Sequence, residues 1–316
     1  MQGQSSSQYI SKNASEWQSF EFPWASGSAW NTRTWLFLLV SGGLIAPLSL
    51  FVHDFMLEAL KVPYPTTVGL PNSVKCLNDI VRLVALAAIC RLSRPQLQGL
   101  SRTPAAFSVG LLLIMLNETL RVFVIESAIV GNWFYSLVDI APRALSWLAC
   151  GSAVAWLGLG DQKRRNVAFA IIVIAALEVF AIHPALDALC ASLKNSLSAP
   201  TPLYTDPYPF KINILIYATF VEPTIAAFMI LSFCWPALGD SLLRRISVFT
   251  TLLLLVRGRF IGLFVESFWV KQPLPTALLA ESQFFLETLA LGLLVALSWS
   301  YAARIQFQVG RAKEGD

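Results

Sequence analysis

From Thr34 to His53 the chain reads TWLFLLVSGGLIAPLSLFVH, twenty positions without a single Asp, Glu, Lys or Arg. At a helical rise of about 1.5 Å per residue, such a run crosses the roughly 30 Å hydrocarbon core of a bilayer. Seven further segments of spanning length follow, at 72–92, 105–126, 137–159, 166–185, 210–237, 245–268 and 275–304. Backbone N–H and C=O groups in lipid must be satisfied within the protein, which leaves only helices and closed barrels. These runs are long and continuous, unlike the ten-residue alternating strands of a barrel. The reading is therefore all-α: a polytopic integral membrane protein of about eight transmembrane helices arranged as four hairpins. Of 316 residues 56% are apolar and 13% charged, which excludes an ordinary soluble domain.

Orientation follows from the basic residues. Lys12, Arg33, Arg91, Arg94, Arg102, Lys163, Arg164, Arg165, Arg244, Arg245, Arg304, Arg311 and Lys313 fall in the tails and one set of loops, while the opposite loops hold Lys61, Lys194 and Lys271. The positive-inside bias places both termini in the cytoplasm. The expected organisation is an interfacial N-terminal segment over 1–33 with Trp17, Trp24 and Trp30, a membrane domain over 34–304, and a cytoplasmic tail over 305–316. The N-terminal segment lacks the charged start and short apolar core of a cleavable signal, so the first span is expected to remain as an anchor. The localisation expected is a cell membrane, multi-pass, as in a bacterial inner membrane.

The hairpins share a pattern, with candidate repeats at 34–92, 105–159, 166–237 and 245–304. Outgoing helices end in LFVHD, VFVIES, VFAIHP and LFVES; returning helices each carry an acid followed by an apolar run, at Asp79, Asp139, Glu222 and Glu287. Repeats of this kind are common in transporters.

The segment LLLLVRGRFIGLFVESFW, residues 252–269, poses the main physical problem. Arg257 lies twelve residues beyond the inner boundary at Arg245, about 18 Å into the bilayer. One charged group at a helix centre costs about 2.5 to 3.5 kcal/mol on insertion scales, so about ten scattered singly through the spans are untenable. They are predicted to meet in an interior cluster in which guanidinium forks engage carboxylates. Arg82, Arg121, Arg143, Arg257 and Arg259 are the candidates to hold an anionic group. Asp79, Glu118, Glu126, Asp139, Glu178, Glu222, Glu266 and Glu287 are the candidates to pair with them or carry protons. Pro142, Pro223 and the Gly42-Gly43 pair near Pro47 are expected to kink or loosen their helices.

No nucleotide-binding GxxxxGK[ST], HExxH or GxSxG is present, and two histidines with no CxxC make neither a metal centre nor a bound cofactor an expectation. Cys76 and Cys190 fall toward the outer side, where two alternatives stand: a disulfide or two free thiols. A net charge of +4 is accounted for by topology, so no nucleic-acid partner is expected. The partners expected are the bilayer, a small-molecule, ion or lipid ligand, and other membrane subunits. The favoured function is a transporter or channel-like protein for a small anionic solute or for protons. The alternatives are a membrane enzyme acting on a phosphate-bearing lipid or glycan carrier from the extracytoplasmic side, and a non-catalytic assembly subunit.

Overall fold

The computed structural model describes residues 32–314, apart from 67, 98, 198–199 and 205–207. The expected interfacial stretch with its three tryptophans lies outside the described residues. Among the described residues there is no strand, and the helices are α1 (Thr32–Asp54), α2 (Asn72–Leu97), α3 (Arg102–Leu116), α4 (Thr119–Val130), α5 (Trp133–Leu159), α6 (Arg164–Leu177), α7 (His183–Ser196), α8 (Phe210–Thr219), α9 (Val221–Cys234), α10 (Leu242–Val256), α11 (Arg259–Phe264) and α12 (Leu274–Glu314). Single π-helical turns follow α1, at Phe55–Ala59, and α6, at Glu178–Ile182, and a 3-10 turn at Glu266–Trp269 follows α11.

The chain is a helical membrane protein. Five continuous stretches, Thr32–Ala59, Trp133–Leu159, Arg164–Ser196, Phe210–Ala237 and Leu274–Gln306, are long and apolar enough to cross a bilayer, and the bent pair α3–α4 makes a sixth. The two other expected segments, 72–92 and 245–268, are helical without meeting that test. The first, α2, carries Lys75, Asp79, Arg82, Arg91 and Arg94, and packs centrally against α5, α6, α9 and α10. The second is interrupted at Gly258, whose φ of 70° no continuous α-helix accommodates.

Helix α9 forms the other part of the centre, touching α1, α2, α3 and α12, with Ala226, Ala227, Leu231 and Cys234 fully buried. Small residues allow a close crossing between α3 and α5: a Cβ on Gly110 would sit 2.3 Å from the Ser152 hydroxyl. Leu36, Leu39, Phe169 and Leu189 project outward from α1, α6 and α7, the apolar surface that acyl chains require. The glycines of α1 do not break it. Helix α1 runs unbroken through Gly42, Gly43 and Pro47, and the Gly42 position faces Phe228 at van der Waals distance. Likewise α5 is continuous through Pro142, while Pro223 occupies the first turn of α9, where its missing N–H interrupts no helical bond.

Helix irregularities follow a repeat. Helices α3 and α10 are both 15 residues long, and each ends at a residue pair whose second member is left-handed: Asn117-Glu118 (φ 59°) and Arg257-Gly258 (φ 70°). Each landmark recurs 140 positions later: the starts (102 to 242), the ends (116 to 256), the left-handed residues (118 to 258), and the Glu-Ser pairs 126–127 and 266–267. The break after α3 bends the chain by 47°.

Candidate functional site

The two breaks face each other and carry the polar interior. A left-handed Glu118 leaves the first N–H groups of α4 without helical acceptors. Glu222, from the first turn of α9, supplies them: its carboxylate accepts from the backbone N–H groups of Leu120 at 3.0 Å and Arg121 at 2.6 Å. At the other break, the carbonyl of Val256 ends α10, and the Arg82 Nε of α2 donates to it at 3.1 Å. Arg82 Nη2 also donates to the Asn117 side chain, so one guanidinium ties both breaks together. Arg82 and Glu222 are themselves 140 positions apart, Glu222 serving the first break and Arg82 reaching both.

Between the breaks lies Arg257, 4% exposed. Its Nη2 forms an ion pair with Glu118 and lies 3.4 Å from a Glu287 oxygen of α12. Glu118 is shared with Arg121, which also reaches the Ile216 carbonyl at 3.4 Å. The sequence Arg121–Glu118–Arg257–Glu287 thus alternates charge across α4, the two breaks and α12. The remaining nitrogens of Arg257, Nε and Nη1, are buried with no hydrogen-bond partner. For a guanidinium, whose five N–H donors are normally engaged when desolvated, this leaves unused donor capacity at the centre of the protein.

A second group adjoins the first through Arg82. Asp79 is 3.6 Å from Arg82, and the buried Glu178, at the π turn after α6, accepts from the Ser146 hydroxyl of α5 at 2.8 Å. Arg82 stacks 4.4 Å over the Trp147 ring. Asn78, one residue before Asp79, donates to Glu266 at 2.7 Å. Arg259 lies over the Phe284 ring at 5.0 Å, with Tyr64 and His53 packed against that same ring. The connection from 60 to 71 crosses this end: Val68 N–H donates to the Trp269 carbonyl at 2.8 Å, Lys271 N–H to Thr66 at 2.9 Å, and the buried Gln283 amide to Pro63 at 3.0 Å.

The fold therefore gathers Arg82, Arg121, Arg257, Asp79, Glu118, Glu178, Glu222, Glu266 and Glu287, with Arg259 against Phe284 at the margin. Three predicted members stand apart. Asp139 is exposed and pairs with Lys194 of α7, two helical turns from Ser146 along α5. Arg143 is exposed on α5, and Glu126 is half-buried on α4, away from the Glu118 end. Sequence spacing places a charge along a helix but not around it relative to unseen neighbours. Asn78, Asn117 and Ser146 belong to the cluster and are not among the residues that the charge pattern points to. Asn117 had a readable signal, a polar amide inside an apolar run beside an acid; Ser146 had none. All five cysteines are free thiols, Cys76 and Cys190 included. Among the described residues no group of three or more His, Cys, Asp and Glu is arranged to hold a metal ion. No protein-family model, curated protein or solved structure matches the chain.

Proposed function

We propose that this chain is a proton-coupled transporter of a small anionic solute in a bacterial inner membrane. In this reading two tandem halves, each of two hairpins, share one orientation, so eight segments cross the bilayer and both termini are cytoplasmic. The observation that carries the reading is Arg257: a desolvated guanidinium with two unpartnered nitrogens, placed where two interrupted helices meet. Support comes from the 140-residue recurrence of helix ends and left-handed residues, and from the reciprocal capping by Arg82 and Glu222. Sites at the interface of internal repeats, framed by discontinuous helices, are the recurring architecture of secondary transporters.

The chemistry is an exchange of partners. With Glu118 and Glu287 ionised, Arg257 is neutralised and an anion has no counter-charge to gain. Protonation of either carboxylate releases a guanidinium face, to which a carboxylate or phosphate oxygen then binds bidentately. Loss of the proton on the other side restores the ion pair and expels the solute. Proteoliposomes given an inward pH gradient should accumulate at least one of inorganic phosphate and short mono- and dicarboxylates, and Arg257→Gln should abolish that accumulation. Gradient-independent or absent uptake of every member of the panel refutes the proposal.

One observation favours a second reading, a membrane enzyme that acts on a phosphate-bearing lipid carrier. An apolar groove of about 520 Å³ runs between α1 and α8, lined by Gly43, Ala46, Pro47, Phe210 and Ile214, with Tyr217 on its wall. The Tyr217 hydroxyl donates to Asp54, so a polar contact sits beside an acyl-sized channel. Co-purified lipid, identified by mass spectrometry and lost on Gly43→Trp, supports that reading; an empty groove refutes it.

A further inference from the structure

Glu118 lies in the left-handed region, where an L-residue is unfavourable, and the residue at the matching place 140 positions later is Gly258. The backbone of such a break therefore has no need of a glutamate. The side chain shows its use in its contacts: Arg121 Nη1 donates to Oε2 and Arg257 Nη2 donates to Oε1, so one carboxylate is held between two guanidiniums, one oxygen to each. Both guanidiniums also lie over the Phe220 ring, at 5.3 Å and 6.0 Å from its centroid, and that ring is fully buried. A close-packed ring beneath the two cations is a rigid platform that keeps their spacing.

Two guanidiniums whose spacing a single carboxylate satisfies make a carboxylate site, and in this structure Glu118 fills it. The charges around it come from every neighbouring element: Arg121 on α4, Arg257 at the second break, Glu287 of α12 across Arg257, Glu222 of α9 on the backbone N–H groups of Leu120 and Arg121, and Arg82 of α2 on the adjacent Asn117. The chain Arg121–Glu118–Arg257–Glu287 alternates two positive and two negative charges and is neutral as it stands. A solute that takes the place of the Glu118 carboxylate keeps that balance if it brings one negative charge. A dianion would leave a charge uncompensated in a dry interior, where it is costly.

We propose that Arg121 and Arg257 form a binding site for the carboxylate of a small monocarboxylate, and that Glu118 is its tethered occupant, which the ligand displaces. The role of that ligand as the transported solute rests on the transport reading; the carboxylate site does not. Glu118, on taking a proton, gives up both guanidiniums. The ligand carboxylate then takes its two places, one oxygen on each arginine, and the Nε and Nη1 of Arg257 remain as further donors at the same spot. When Glu118 loses its proton, its carboxylate competes for the same two guanidiniums and expels the ligand.

The test is thermal unfolding of the purified full chain in detergent, followed by tryptophan fluorescence at constant pH and ionic strength, with acetate, acetamide and inorganic phosphate as probes. Glu118→Gly vacates the space between the guanidiniums and suits the left-handed backbone. Acetate should raise its unfolding temperature saturably, whereas acetamide, of the same shape without the charge, and phosphate should not. The response should vanish in Glu118→Gly/Arg257→Gln. The wild type should show the same selectivity at an acetate concentration at least about tenfold higher, because its own carboxylate must first be displaced. That wild-type response supports the site even where the glycine variant fails to fold. A wild type indifferent to acetate shows Glu118 to be a permanent structural bridge and overturns the proposal, as does a response to phosphate that equals or exceeds the response to acetate. Gradient-driven uptake of phosphate by a protein indifferent to acetate refutes this site and leaves transport standing. A protein that responds to acetate yet accumulates no solute in proteoliposomes leaves the site standing and refutes the transport reading instead.

Discussion

Replacing Arg257 by Leu isolates the energetics on which the interior depends. The Arg257 side chain is 1% exposed and that of Glu287 is 4% exposed, so their interaction is almost unscreened. Glu118 keeps a second cation in Arg121, whereas Glu287 loses its only ion pair among the described residues. The variant is left with one uncompensated buried carboxylate, a loss of about 3–5 kcal/mol. Removing the acid as well, in Arg257→Leu/Glu287→Leu, eliminates that charge, and a matched apolar replacement is neutral to within about 1 kcal/mol in comparable buried pairs. The double variant should therefore be more stable than the Arg257→Leu single variant by roughly 2–6 kcal/mol. Reversible denaturation in mixed micelles, followed by helix circular dichroism, measures all four corners. Should Arg257→Leu cost under about 1 kcal/mol, or the double variant be no more stable than the single, the claim of a desolvated, mutually compensating pair is refuted. Uptake by the double variant separates two roles: a folded protein that no longer transports fits a solute site, and one that still does fits helix registry alone.

Gly258→Ala should destabilise by about 2–4 kcal/mol in the same assay, because its φ of 70° strains an L-residue by roughly 1–2 kcal/mol and the new Cβ would lie 2.5 Å from Asn78 Oδ1, disrupting the Asn78–Glu266 bond. Gly43→Ala should change stability in the opposite direction, by about 0.5–1 kcal/mol, since it sits mid-helix with open space where the methyl goes. Glu222→Leu uncaps α4 by removing the acceptor of two N–H groups and should cost about 1–3 kcal/mol, with faster hydrogen exchange at Leu120 and Arg121 as the local signature.

Much of the interior was legible because lipid punishes charge so heavily. Ionised residues in apolar runs had to find one another, and the cluster of arginines and carboxylates follows from that alone. What spacing predicted poorly was membership. Asp139 and Glu178 read alike, each an acid in an apolar segment, yet Asp139 meets Lys194 at an exposed edge while Glu178 is turned inward by a π-helical turn. A π turn stabilised by tertiary packing leaves no mark in composition.

The helix breaks divide in the same way. Gly258 suits a left-handed position, because glycine adopts it freely, yet the expected continuous span over 245–268 placed no break there. Glu118 does not: a glutamate there is locally unfavourable, and it is held by Arg121 and Arg257 while Glu222, some hundred residues away, caps the helix that begins beside it. By itself the sequence determined that this chain is helical, lives in a bilayer and must shelter its charges from acyl chains, since those follow from the transfer energies of single residues and of backbone amides. Which guanidinium meets which carboxylate, and where each helix yields to let them meet, was decided only by the tertiary structure, because those energies belong to pairs of groups that no local stretch of chain contains.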